Sequence, residues 1–147
     1  MPQKVVAHFV DHSVVKGTSM DVDPGKPICH IRADSPKPVE VDLRKVKALY
    51  FVKDLNGNPT YDETHVPRDE DKRLHGSTML DIVFADGERL GALTNRYPPR
   101  GEFFFVVPMD PGSNNLRILV NRGAVRALTA RGGSERGVAA RRPSQAV

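Results

Sequence analysis

LRKVKAL, Leu43–Leu49, returns late in the chain as NRGAVRAL, Asn121–Leu128. Extending both copies backwards exposes a longer correspondence. VVAHFVDHSVVKG (Val5–Gly17) lines up with LDIVFADGERLG (Leu80–Gly91), matching Phe9 to Phe84, Asp11 to Asp86 and Gly17 to Gly91, with one extra residue in the first turn. Each copy reads as strand, turn, strand. Asp86-Gly87 is a hairpin signal because glycine reaches the positive φ of a tight turn without steric cost, and Asp11-His12-Ser13 fills the same place less compactly.

After the glycine each copy has a proline-bearing loop, DVDPGKP or NRYPPRGE, and then an apolar strand, ICHIRA or FFFVVP. A second turn, DSPKP or MDPGSNN, stops that strand through its Pro, Gly and Asn content. Next comes a period-two stretch, the mark of a half-buried strand. Val39, Val41 and Leu43 alternate with Glu40 and Asp42, as Leu116, Ile118 and Val120 do with Arg117 and Asn121. The opening phrase follows as a short turn into a last strand, VKALYFV or VRALTA, with Val46/Val125 and Leu49/Leu128 packed and Lys47/Arg126 facing solvent.

Five short strands per copy and no helix of three turns make the chain all-β. Its order resembles SH3-like barrels of the Sm type, in which an apolar-x-F-x-D-G hairpin opens the fold and a one-turn connection precedes the final strand. The resemblance implies two tandem five-stranded SH3-like/Sm-like small barrels, at residues 1–53 and 79–128. A polar, acidic linker or excursion at 54–78 would join them, and a disordered basic tail at 129–147 would follow. Closure removes the exposed strand edges of an open antiparallel sheet. Two barrels this small are each marginal alone, so they should pack as a pseudo-dimer, with Leu49, Phe51, Phe103 and Phe105 offering an apolar contact. In GEFFFVVP, Phe104 must oppose Phe103 and Phe105, so core burial on one face and barrel-to-barrel packing on the other would account for all three.

Charge sharpens the functional question. The formal net charge of +4 is unevenly spread: nine Lys/Arg against six Asp/Glu in residues 1–53, three against six in 54–77, six against five in 78–128 and four against one in 129–147. A basic balance that comes largely from a Gly/Ser/Arg-rich tail is weak evidence for a nucleic-acid surface. No apolar run approaches the roughly 18 residues of a membrane span, so a cytoplasmic protein is expected.

Motifs for chemistry are sparse. The single cysteine, Cys29, lies mid-strand and reads as a buried small apolar side chain. His8, His12, His30, His65 and His75 have neither a helical HxxxH spacing nor a CxxC beside them, so no metal is expected. There is no G-x-S-x-G, GxGxxG or P-loop, and the acids of DETHVPRDED read as a solvated surface. A non-enzymatic protein without a cofactor is expected.

Binding classes remain. A protein-interaction or regulatory module needs no catalytic residue, and the loop Tyr97-Pro98-Pro99-Arg100 suits a partner surface. The Sm resemblance implies RNA binding instead, with Arg96, Arg100, Arg117, Arg122 and Arg126 supplying phosphate contacts and Tyr97 a stacking platform. A third class rests on Arg122-Gly-Ala-Val-Arg126, which has the R-x-x-x-R spacing of PilZ cyclic-dinucleotide binders. FVKDLNGNP and FFFVVPMDPGSNNLRI are similar to stretches of an uncharacterised bacterial family, over most of residues 4–128, and that family implies no activity. The expected function is therefore a bacterial protein-binding module, with nucleic acid as the alternative partner.

Overall fold

In a computed structural model the described residues are 2–57 and 76–131, and they are all-β. The first half holds β1 (Gln3–Phe9), β2 (Val14–Ser19), β3 (Ile28–Ile31), β4 (Val39–Asp42) and β5 (Val46–Val52). The second holds β6 (Thr78–Phe84), β7 (Arg89–Thr94), β8 (Phe103–Pro108), β9 (Asn115–Asn121) and β10 (Val125–Ala130). A single 3₁₀ turn precedes β5 (Leu43–Lys45) and another precedes β10 (Arg122–Ala124). Most of the expected linker, 58–75, and residues 132–147 of the expected tail lie outside the described residues. The expected tail began too early: Thr129 and Ala130 are in β10, and the Arg131 guanidinium pairs with Asp81.

Strand pairing departs from two closed barrels. Eight strands form one open antiparallel sheet in the order β10-β6-β7-β8-β9-β5-β1-β2, while β3 and β4 make a separate ladder. Reciprocal backbone bonds between Thr18 and Arg32, 3.0 and 2.7 Å, connect that ladder to β2. The pairing Leu93↔Val107 occupies the corresponding place between β7 and β8. Gly17 permits the first of these crossings, because a Cβ there would lie 2.2 Å from the carbonyl oxygen of Arg32.

Backbone bonds give the correspondence between halves its register. Phe9 N–H donates to Ser13 O at 2.9 Å and Phe84 N–H to Glu88 O at 2.8 Å, so the two hairpin turns have equal length and no extra residue. Gly17 consequently corresponds to Ala92 and not to Gly91. In both turns an aspartate carboxylate accepts the N–H two residues on, Asp11 from Ser13 and Asp86 from Glu88, each at 2.9 Å. Between them, His12 takes φ 73° where Gly87 takes 92°. The 3₁₀ turns also match: Asp42 accepts from Arg44 N–H and Asn121 from Gly123 N–H, each at 3.0 Å. Both are the side-chain caps expected where backbone donors lack partners.

The halves meet edge to edge, β5 against β9, in the register Ala48↔Val120, Leu49↔Leu119, Tyr50↔Ile118 and Phe51↔Arg117. Because successive side chains alternate between faces, this seam feeds two cores on opposite sides of one sheet. Leu49, Phe51, Phe103 and Leu119 join Val5, Ala7, Cys29, Ile31, Val41 and Leu43 on one side. Ala48, Phe104, Ile118 and Val120 join Leu80, Ile82, Phe84 and Ala92 on the other. Phe103 and Phe104 thus serve different cores, and Phe105 packs half-buried against the first. The half-buried strand expected at 116–121 is corrected: Ile118, Leu119, Val120 and Asn121 are all buried, because β9 is an interior strand covered on both faces, and Leu116 is exposed. Each fully buried Leu contributes about 1.5–3 kcal/mol of transfer free energy.

Candidate functional site: a groove at the junction of the halves

The face of β1, β2 and β5 that turns away from the first core is left open where the second half begins. There a groove of about 510 Å³ has an apolar floor of Val6, Val14, Val52 and Leu55. His8 and Tyr50 cross it edge to face, with ring centroids 4.8 Å apart. Lys16 and Glu88 also line it. Val14 is 44% exposed, unusual for a strand valine beside a sheet interior.

Local sequence explains how the walls are held. After β5 the chain turns at Asp54–Gly57, and this turn is clamped to the loop before β9 by three bonds. Lys53 N–H donates to Asn114 O at 2.9 Å, Asp54 N–H to Asn114 Oδ1 at 3.0 Å, and Asn114 Nδ2 to Asp54 O at 2.9 Å. Glu88 is fixed from the other side by Lys47, whose ammonium also bonds Asp86 at 2.8 Å and stands 4.9 Å from the Phe84 ring centroid. Lys47 is therefore not the solvent-facing residue expected: its side chain is only 11% exposed, and it ties β5 of the first half to the hairpin of the second. Burial lowers its pKa, but the bonds to Asp86 and Glu88 outweigh burial and leave it raised. The same Lys47 bond holds the Asp86 carboxyl below its ordinary value. Burial pushes His8 below its ordinary pKa, with Glu88 opposing and Lys47 and Lys16 reinforcing, so the groove carries a neutral imidazole near pH 7.

None of the six residues marked from sequence lines this groove. Arg117 lies against the other face of the sheet, its guanidinium 4.3 Å from the Phe51 ring centroid and 4.4 Å from that of Phe105. Arg122 packs 5.0 Å from the Phe104 centroid and donates to Gly101 O at 3.0 Å and to Pro99 O, which fastens the loop carrying Arg96, Tyr97 and Arg100. Those three are exposed, as is Arg126 on β10. The structure brings Arg122 to the loop of Arg96, Tyr97 and Arg100, and leaves Arg117 and Arg126 apart from it. Arg122 is committed to packing and backbone carbonyls, so the R-x-x-x-R spacing does not present two available guanidinium groups.

Cys29 is fully buried and its thiol is pushed up to about 11, first by burial and then by the charge of Asp21. Among the described residues no group of three His, Cys, Asp or Glu is placed to hold a metal ion, and no helix is long and apolar enough to cross a membrane. Sequence reasoning missed the groove because its residues come from five separate stretches. The one available signal was Val14 with Val15, two adjacent valines in a strand of which one must face away from the core.

The chain belongs to a protein family of unknown function, DUF6982, whose profile matches residues 1–132. No curated protein and no solved structure matches it.

Proposed function

We propose that this member of a family of unknown function is a non-enzymatic binding module of the cytoplasm, built from two tandem SH3-like copies, that acts by holding a protein partner in the groove between them. The groove carries this reading: an apolar floor on which Val14 is exposed, crossed by an aromatic pair and edged by one cation and one anion, is the chemistry of a peptide or loop site. The repeated hairpin turns, 3₁₀ caps and strand pairings support the tandem reading, and the Sm-type resemblance of each half supports the SH3-like one.

Charge placement argues against nucleic acid as the first choice. Arg44 pairs with Asp42, Lys47 with Asp86 and Glu88, and Arg131 with Asp81. Arg117 and Arg122 lie over aromatic rings. Those five cations are neutralised by acids or held over rings and so are withdrawn from the continuous electrostatic track that backbone recognition needs. The alternative, RNA binding, rests on exposed Arg96, Tyr97 and Arg100 together on one fastened loop.

Affinity capture from lysate with the full chain, with and without nuclease, tests the two. The expected result is a partner that survives nuclease and is lost with Val14→Asp, a substitution on an exposed floor residue. Retention of the same partner by Val14→Asp, or capture of nucleic acid that elutes steeply with salt, overturns the reading.

A further inference from the structure

The seam between the halves shows what a closing strand of this fold can hold on its outer edge. At β5 the occupant is β9, and three devices accompany the strand pairing. Leu119 is buried against Leu49. Asn121 Nδ2 donates to the carbonyls of Val46 at 2.9 Å and Arg44 at 3.2 Å. Lys47 reaches the acids of the neighbouring hairpin.

β10 is the counterpart of β5, and it ends the sheet with no strand on its outer edge among the described residues. It offers the same three features. Leu128 stands for Leu49 and is only partly covered. The carbonyls of Gly123 and Val125 stand for those of Arg44 and Val46. Arg126 stands for Lys47, exposed and without a partner among the described residues. Arg131 N–H donates to Met79 O at 2.7 Å, so the alternation of an antiparallel ladder turns the N–H of Ala130 outward.

We infer that the outer edge of β10 docks an extended strand of a different protein by adding it to the sheet. The counterpart strand of a second copy of this chain is a poor occupant. The strand equivalent to β9 that a second copy could offer is β4, and it is unfit at three positions. Asp42 stands where Asn121 donates, so a carboxylate would face two carbonyl oxygens. Glu40 stands where Leu119 is buried, and Pro38, which has no N–H, stands where Arg117 pairs with Phe51. The strand that fits carries an aliphatic residue opposite Leu128, an Asn or Gln amide near the carbonyls of Gly123 and Val125, and an acid within reach of Arg126. Main-chain pairing supplies affinity in this mode and the side chains supply selectivity.

This surface is separate from the groove, and one experiment separates them. Random linear peptides displayed on phage are panned on the full-length chain. The expected winners alternate aliphatic residues, end in Asn or Gln, and carry an acid. Ala130→Pro, which removes an outward N–H and no internal bond, and Arg126→Glu, a surface change, should each weaken their binding by about tenfold or more, the scale of one lost main-chain or charge-assisted bond. Val14→Asp should leave it unchanged. Winners that bind Ala130→Pro as well as wild type, no enrichment at all, or self-association of the chain that Ala130→Pro abolishes would each overturn the inference.

Discussion

β5 and β10 close the two halves with nearly the same phrase, yet they live in different surroundings. In β5, Val46, Ala48, Leu49, Phe51 and Val52 are buried; in β10 no residue is, and Arg126, Ala127 and Thr129 are exposed. The hairpins behave differently. Phe9–Ser13 and Phe84–Glu88 keep the same backbone bonds at matching distances whichever strands surround them. Local turn chemistry is inherited with the sequence, whereas the burial of a strand is set by its neighbour.

The largest test of this contrast lies at the seam. Leu119→Ala should cost about 3 kcal/mol, because it empties a site that both halves fill, while Glu40→Ala at the corresponding exposed position should cost less than about 0.5 kcal/mol; urea unfolding of the two variants measures the difference. Equal losses would mean that the halves do not share their packing. Asn121→Asp should cost about 2 kcal/mol, since it turns a buried donor into a charge facing two carbonyls, whereas the reverse change Asp42→Asn, which keeps the cap and gives up only an exposed ion pair with Arg44, should cost no more than about 0.5 kcal/mol by the same measurement.

A smaller effect separates the hairpins. Gly87→Ala meets no atom within 4 Å, so its cost of about 1 kcal/mol would be purely conformational. His12→Gly should instead stabilise by about 0.5 kcal/mol, as relief of a positive φ exceeds the added freedom of the unfolded chain. Thermal denaturation reads both signs.

The smallest effect is in acid. Burial depresses the folded pKa of His8 below 6.5, so the unfolded chain takes up the proton first. Stability attached to the neutral ring is fully present above about pH 6.5 and is lost as pH falls through the lower folded value. Melting temperatures between pH 8 and 5 should decline in wild type and flatten in His8→Gln. The carboxylates held low by hydrogen bonds, Asp11 by Ser13, Asp42 by Arg44 and Asp86 by Lys47, act in a more acidic window.

Much of the fold is legible along the chain. Proline and Asn-Gly punctuation, the Asp-Gly turn and the period-two run at Val39–Asp42 mark ten strands and place their turns. The Phe103–Phe105 run reads correctly as serving two faces, because side chains in a strand must alternate. The site was not legible. Arg117 and Arg122 look like surface cations in a linear reading, and nothing local reveals that aromatic rings lie beneath them. Lys47 looks as exposed as Arg126 because the acids that enclose it come from the other half.

What the sequence by itself determined are the strands and the places of their turns, since these depend on alternation, caps and φ preferences carried by neighbouring residues. Only the tertiary structure decided that the halves join through β5 and β9 into one open sheet with a core on each side. That pairing is a contest between edges far apart in the chain, settled by Leu119 and Asn121 on β9 and by Glu40 and Asp42 on β4. The same contest decided which closing strand is buried and which is left at an edge.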